Sequence, residues 1–344
     1  MHSVRRRMAL TLAVLCLATG LPAAEPQGQE VLLDVLVAQS NGSVIVGLDK
    51  EDFIVLEGDT PVDVESVTFY GDHTQLQRGK IPERLGLKLE DIPQERYFIL
   101  LFHEQEKILG QAGQTVSQRQ EAAKAAHEWL KTLLPNDFVA VLGYDTKLVA
   151  YTDFTRDPEV IATAIDSASA GKKPETPARP APTGGPSLLA GLPEGRALVT
   201  RSGTMFGALE LIGHAAEGIT GRKNLLVFTG GFGQRNSRLG VSDIEITEAI
   251  LALNAGNVTV YPVDLLNRAS PTREMWLFVG ETGGRFFENF REALPIVAAE
   301  NTGYYLLRYH TSHRGRKRGL QRVQVTTTLP GALVRVRSGY RYGH

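Results

Sequence analysis

The chain has 344 residues, 42% of them hydrophobic, and a formal net charge of −1, enough for one large domain plus a small one at about 100 to 200 residues per domain. Its single cysteine, Cys16, excludes a disulfide framework and a cysteine-bound metal centre. No apolar stretch reaches the roughly 20 residues that a comfortable bilayer span requires.

Arg5, Arg6 and Arg7 precede an apolar run over residues 8–18, and Leu21, Pro22, Ala23 and Ala24 offer small residues for cleavage. This pattern predicts a secretory signal over residues 1–24 and hence an extracytoplasmic location, periplasmic or secreted. Cys16 lies inside that run, and Leu15 before it does not fit a lipid-attachment site. Removal of the leader leaves a mature chain with no thiol nucleophile.

Residues 25–70 read as an N-terminal β segment. Val31 to Val37 is apolar apart from Asp34, and Asn41-Gly42 is the strongest hairpin signal in the chain. Residues 71–93 are polar and irregular, a linker. Then comes the stretch that organises the rest: Tyr97, Phe98, Ile99, Leu100, Leu101 and Phe102 are continuously apolar and stop at His103, Glu104, Gln105, Glu106 and Lys107. A strand buried on both faces of a parallel sheet reads this way. Ligands of open α/β sheets bind beyond the carboxyl ends of such strands, where strand order reverses.

Ala122, Ala126, Trp129, Leu130 and Leu133 recur at helical spacing over residues 117–134, before Pro135. Residues 137–144 and 148–151 predict a strand hairpin, and Asp157-Pro158 a capped helix to about residue 169. Residues 171–201 carry five prolines between Lys172 and Pro186 and few large apolar side chains, predicting a surface loop without packing. Met205, Leu209, Ile212 and Ala216 resume a helical face. Residues 224–228 form a buried strand ending in Thr229-Gly230-Gly231. A helix over 242–254, a strand over 258–263 ending at Asp264, helices over 271–279 and 291–300, and a short strand at 285–287 complete the alternation. Strands alternating with helices imply right-handed βαβ units and a mainly parallel sheet covered on both faces. Residues 303–344 return to β structure with nine Lys or Arg and no acid; their alternation along strands predicts solvent-facing positions rather than a nucleic-acid surface.

Alternative chemistries find little support. At His103-Glu104 and at His127-Glu128 the zinc-protease pattern H-E-x-x-H fails. No phosphate loop and no complete dinucleotide fingerprint occurs, and no G-x-S-x-G elbow marks a nucleophile. Asp145, Asp153 and Asp264 sit at strand ends, where turn-forming carboxylates are common.

With these pieces in order, the chain resembles the von Willebrand factor A (VWFA) superfamily, and within it the bacterial VWFA-related exported proteins first grouped in acidobacteria. The stretches VLLDVLVAQSNGSVIVGLDKEDFIVLEGD, RYFILLF, LLPNDFVAVLGYDTKL, ETGGRFFEN, YYLLRYH and VRVRSGYR carry the resemblance. It implies a doubly wound von Willebrand A/Rossmann-like α/β domain over 94–302, with helices on both faces of the sheet. It also implies a small β accessory region, which the pattern assigns to both chain ends. The superfamily usually holds a divalent metal with an Asp-x-Ser-x-Ser loop, a Thr and a later Asp. Those positions fall here on His103, Gln105 and Lys107, on Thr204, and on Gly230. Four of the five ligand types are replaced, so the expectation is a degenerate, metal-free site without a cofactor. His103, Gln105, Lys107, Thr204 and Gly230 would then meet a protein partner of unknown identity without catalysis. The alternative is an adhesion domain or metal-using enzyme that binds magnesium or another divalent cation through Glu104, Glu106, Thr204 and Asp264. A third reading has the β region assemble the protein with itself or with an envelope scaffold.

Overall fold

The computed structural model describes residues 29–39, 42–71, 95–103, 112–174, 178, 180, 185–232, 243–266, 271–311 and 319–342. The signal segment, most of the linker, Glu104, Gln105, Glu106, Lys107 and the hairpin tip at 314–318 lie outside these residues. The N-terminal part forms β1 (Glu30–Ala38), β2 (Phe53–Glu57), β3 (Thr60–Val62) and β4 (Ser66–Gly71). There follow β5 (Arg96–His103), α1 (Ala112–Leu130), β6 (Asp137–Tyr144), β7 (Leu148–Thr155), α2 (Pro158–Ser169), α3 (Gly195–Arg201) and α4 (Met205–Ala216). β8 (Lys223–Thr229), α5 (Asp243–Ala255), β9 (Val258–Asp264), α6 (Arg273–Thr282) and α7 (Phe290–Glu300) close the alternating part. β10 (Gly303–His310), β11 (Gly319–Thr327), β12 (Leu333–Arg335) and β13 (Gly339–Tyr342) end the described chain.

The central sheet has the order β7-β6-β5-β8-β9. β5 is parallel to both neighbours, β9 is parallel to β8, and β7 is antiparallel to β6. The apolar run of β5 splits between the two faces as its period of two requires. Tyr97, Ile99 and Leu101 pack with Met205, Leu209, Ile246, Ile250, Met275 and Phe278 from α4, α5 and α6. Phe98, Leu100 and Phe102 pack with Ala122, Trp129, Ile161, Phe290 and Val297 from α1, α2 and α7. The sheet is therefore doubly wound, and strand order reverses between β5 and β8. Asp157 caps α2 by accepting from the Glu159 and Val160 amides, with Pro158 in the first turn, as its sequence predicts.

Two elements depart from the sequence reading. α1 begins and ends earlier than the predicted 117–134, and β7 runs on to Thr155. Residues 185–201, read as part of an unpacked loop, instead form a 3-10 turn at Leu189–Gly191 and the helix α3. The Asp153 carboxylate fixes this return, accepting from the Ser187 hydroxyl at 2.6 Å and from the Leu188 amide at 2.8 Å. Leu188 is fully buried in the core beside α4, and Leu192 and Leu198 pack against the same core, so a few apolar side chains and a carboxylate anchor dock the segment.

The chain ends build two antiparallel sheets, β12-β1-β10-β4 and β13-β11-β2-β3. Their shared core contains Leu33, Val35, Val55, Phe69, Tyr305, Leu307, Tyr309 and Val323. β1 pairs with β10 in register from Glu30 opposite His310 to Val35 opposite Tyr305, so the doubly wound domain is inserted between two halves of this β lobe.

The basic C-terminal segment meets the inserted domain across an ionic seam. Glu300, 1% exposed at the end of α7, accepts from Arg285 at 3.0 Å and from Arg335 at 2.5 Å. Arg322 and Ser338 both bond Glu281, and Arg341 bonds Glu248. Several tail arginines predicted to face solvent are thus paired with acids of α5, α6 and α7. Removing one member of a buried pair leaves uncompensated charge. Replacing Glu300 with glutamine should therefore destabilise the protein by about 2 kcal/mol, read as a lower urea midpoint at unchanged slope. An unchanged midpoint would show that the seam does not hold the lobe.

Candidate functional site

The reversal point between β5 and β8 brings His103 and Thr229 together, because each is the last residue of its strand. His103 Nδ1 lies 2.7 Å from Thr229 Oγ1. The Thr229 hydroxyl donates to the Gly231 carbonyl and accepts from the Gly231 amide, both at 2.9 Å. That two-way bond needs the peptide to fold back on itself, and Gly231 does so at φ +140°, a conformation open in practice to glycine. Gly230, the first glycine of the loop, is buried beside them and offers no side chain at the position where the resemblance would put the later Asp.

The electrostatics of this corner follow from burial. His103 is 8% exposed, and its ring meets Tyr144 edge-on at 5.4 Å between centroids. Burial first, and then the positive charge of Arg119, lowers its pKa to about 4 against a modest opposing pull from the Gly231 carbonyl. The imidazole is therefore neutral at pH 7. Arg119 is itself 3% exposed and was missed as a site residue. The signal was present: Arg119, Ala122, Ala126 and Trp129 share one helical stripe, which places a guanidinium among inward-facing residues.

The remaining candidates are placed as follows. Thr204 caps α4, its Oγ1 accepting from the Gly207 amide at 3.0 Å. Ser202, two residues earlier, is fully buried, donates to the Leu198 carbonyl at 2.7 Å and accepts from the Leu148 amide at 3.0 Å. It joins the start of β7 to α3 rather than standing in a mobile loop. Asp264 pairs in register with Thr229 across β8 and β9. It is fully buried, and its Oδ1 accepts from the Leu266 amide at 3.1 Å. Glu104, Gln105, Glu106 and Lys107 lie outside the described residues. Beside the site a cavity of about 290 Å³ opens between Phe102, Tyr144, Tyr151, Lys147 and Lys173.

No protein-family profile and no curated protein matches the chain. Solved structures do. A von Willebrand factor type A protein from Catenulispora acidiphila is 9% identical, covering 94% of this chain and 75% of its own, with a TM-score of 0.41. An aerotolerance-related membrane protein from Bacteroides fragilis is 11% identical over 60% of this chain and 98% of its own, with a TM-score of 0.38. BatB from Bacteroides thetaiotaomicron is 12% identical over 60% and 96%, with a TM-score of 0.36. The architecture stands on strand order and register: a doubly wound sheet with one antiparallel edge strand, helices on both faces and a β lobe from the chain ends.

Proposed function

We propose that this chain is an exported, non-enzymatic protein-binding module of von Willebrand A type whose metal position is degenerate and works without a metal. One observation carries the reading: the position of the family's first aspartate is a buried neutral histidine, already bonded to Thr229 and set beside the buried cation Arg119. A divalent ion there would find no carboxylate at residues 103 and 230 and a positive charge close by, which a poorly solvated site does not tolerate. The partner instead meets a surface around His103, Gln105, Lys107, Thr204 and Gly230. The adjoining cavity, lined by Tyr144, Tyr151, Val149, Asp145, Lys147 and Lys173, offers a partner side chain both apolar surface and charged groups of either sign.

The rearranged metal shell is less well supported. The Thr204 oxygen is engaged in capping α4, and one Asp264 oxygen holds the Leu266 amide. Catalysis through Ser202 is disfavoured by its burial and by its two backbone partners.

Calorimetric titration with magnesium, manganese and calcium should give no heat of binding. Micromolar affinity that is lost on changing His103 or Thr204 would overturn the proposal. Crosslinked pull-downs from envelope extracts should lose their partner with Lys107→Asp and weaken with Thr204→Ala; identical captures would place the binding face elsewhere.

His103 also makes stability depend on pH. An unfolded histidine titrates near 6.5 and folded His103 at about 4, so between these values the unfolded chain binds more protons. The contribution is fully present above about pH 6.5 and is lost as pH falls toward 4, up to about 3 kcal/mol. His103→Gln should flatten that part of the curve, and a slope identical to wild type would show that the ring is not held neutral.

A further inference from the structure

A second cavity lies between α5, α6 and β11, where the β lobe meets the inserted domain. It holds about 170 Å³, and its apolar wall is Ile246, Ile250 and Leu251 of α5, Leu277 of α6 and Leu320 of β11. The polar side chains around that wall are engaged with one another or with the backbone. Asp243 pairs with Arg273 at 3.1 Å, and the Thr247 hydroxyl donates to the Asp243 carbonyl at 2.8 Å. Asn254 donates to the Glu281 carbonyl at 3.0 Å, and the Glu281 carboxylate accepts from Arg322 and Ser338. These bonds also set the spacing of the walls. α5 and α6 are joined at their first residues by Asp243 and Arg273 and near their last by Asn254 and Glu281, while Glu281 ties α6 to β11. Walls tied in this way resist closing over the space between them.

Aliphatic side chains that line an empty space lose their dispersion partners, and a cavity of about 150 Å³ lined by such side chains takes up benzene. A charged ligand would give up its hydration here and meet only charges already paired inside the protein. We propose that this cavity is a binding site for a small neutral apolar ligand about the size of a benzene ring, held between α5, α6 and the β lobe. None of the residues assigned to the partner face lines it, so the inference stands apart from the function proposed above.

Wild-type protein should melt a few degrees higher with toluene than without it, the shift saturating with concentration, whereas benzoate, of similar size and charged, should give no such shift. Leu320 is 39% exposed, so Leu320→Glu should fold and should lose the response to toluene. Crystals of wild type soaked in bromobenzene should show an anomalous bromine peak between Leu251, Leu277 and Leu320, which tests the site even if the variant does not fold. No shift with toluene, an equal shift with benzoate, a folded variant that keeps the response, or no bromine peak in the cavity would each overturn the inference.

Discussion

Strand β5 is the constraint from which the remaining structure follows. Both its edges are hydrogen-bonded, to β6 and β8, and both its faces are covered by helices. A strand enclosed in this way touches solvent only at its ends. Its carboxyl end coincides with the place where chain crossovers part to opposite sides, so one end of this buried strand is also the place where loops converge. Whatever residues occupy positions 103 and 229–231 face that corner for geometric reasons, before any chemistry is specified.

What the chain puts at positions 103 and 230 is a histidine and a glycine, neither of them a carboxylate. Carboxylates would generate a negative field that a hard cation relieves. Here, among the described residues, the buried Arg119, a neutral imidazole, the dipoles of a glycine turn and the Asp264 carboxylate in register with Thr229 share the corner. Such a corner is well determined because its hydrogen bonds close on one another: His103 to Thr229, and Thr229 to both polar groups of Gly231.

The sequence was most legible where physics is local. The six-residue apolar run of β5, the Asp157-Pro158 cap of α2 and the Thr229-Gly230-Gly231 turn each declare their structure within a few residues. It was least legible where pairing is distant. The partners of Arg322, Arg335 and Arg341 are acids at least 35 residues away, and strand alternation alone assigned those side chains to solvent. Leu188 and Arg119 failed in another way: each lies in a segment whose average composition pointed elsewhere, a proline-rich stretch and a polar helix start. A single buried side chain is invisible to an average.

β8 runs from the β lobe to the site. It begins at Lys223, which interacts with Asp34 of β1, and ends at Thr229, whose hydroxyl meets His103. Seven strand residues span about 20 Å, every one of them is buried, and both edges are paired. An element so confined transmits displacement as a rigid body and stores little of it. Fixing its lower end with the β lobe therefore also fixes the height and orientation of Thr229, and through it the His103 ring. This gives the lobe a physical role apart from any contact it makes itself: it braces the strand that ends at Thr229.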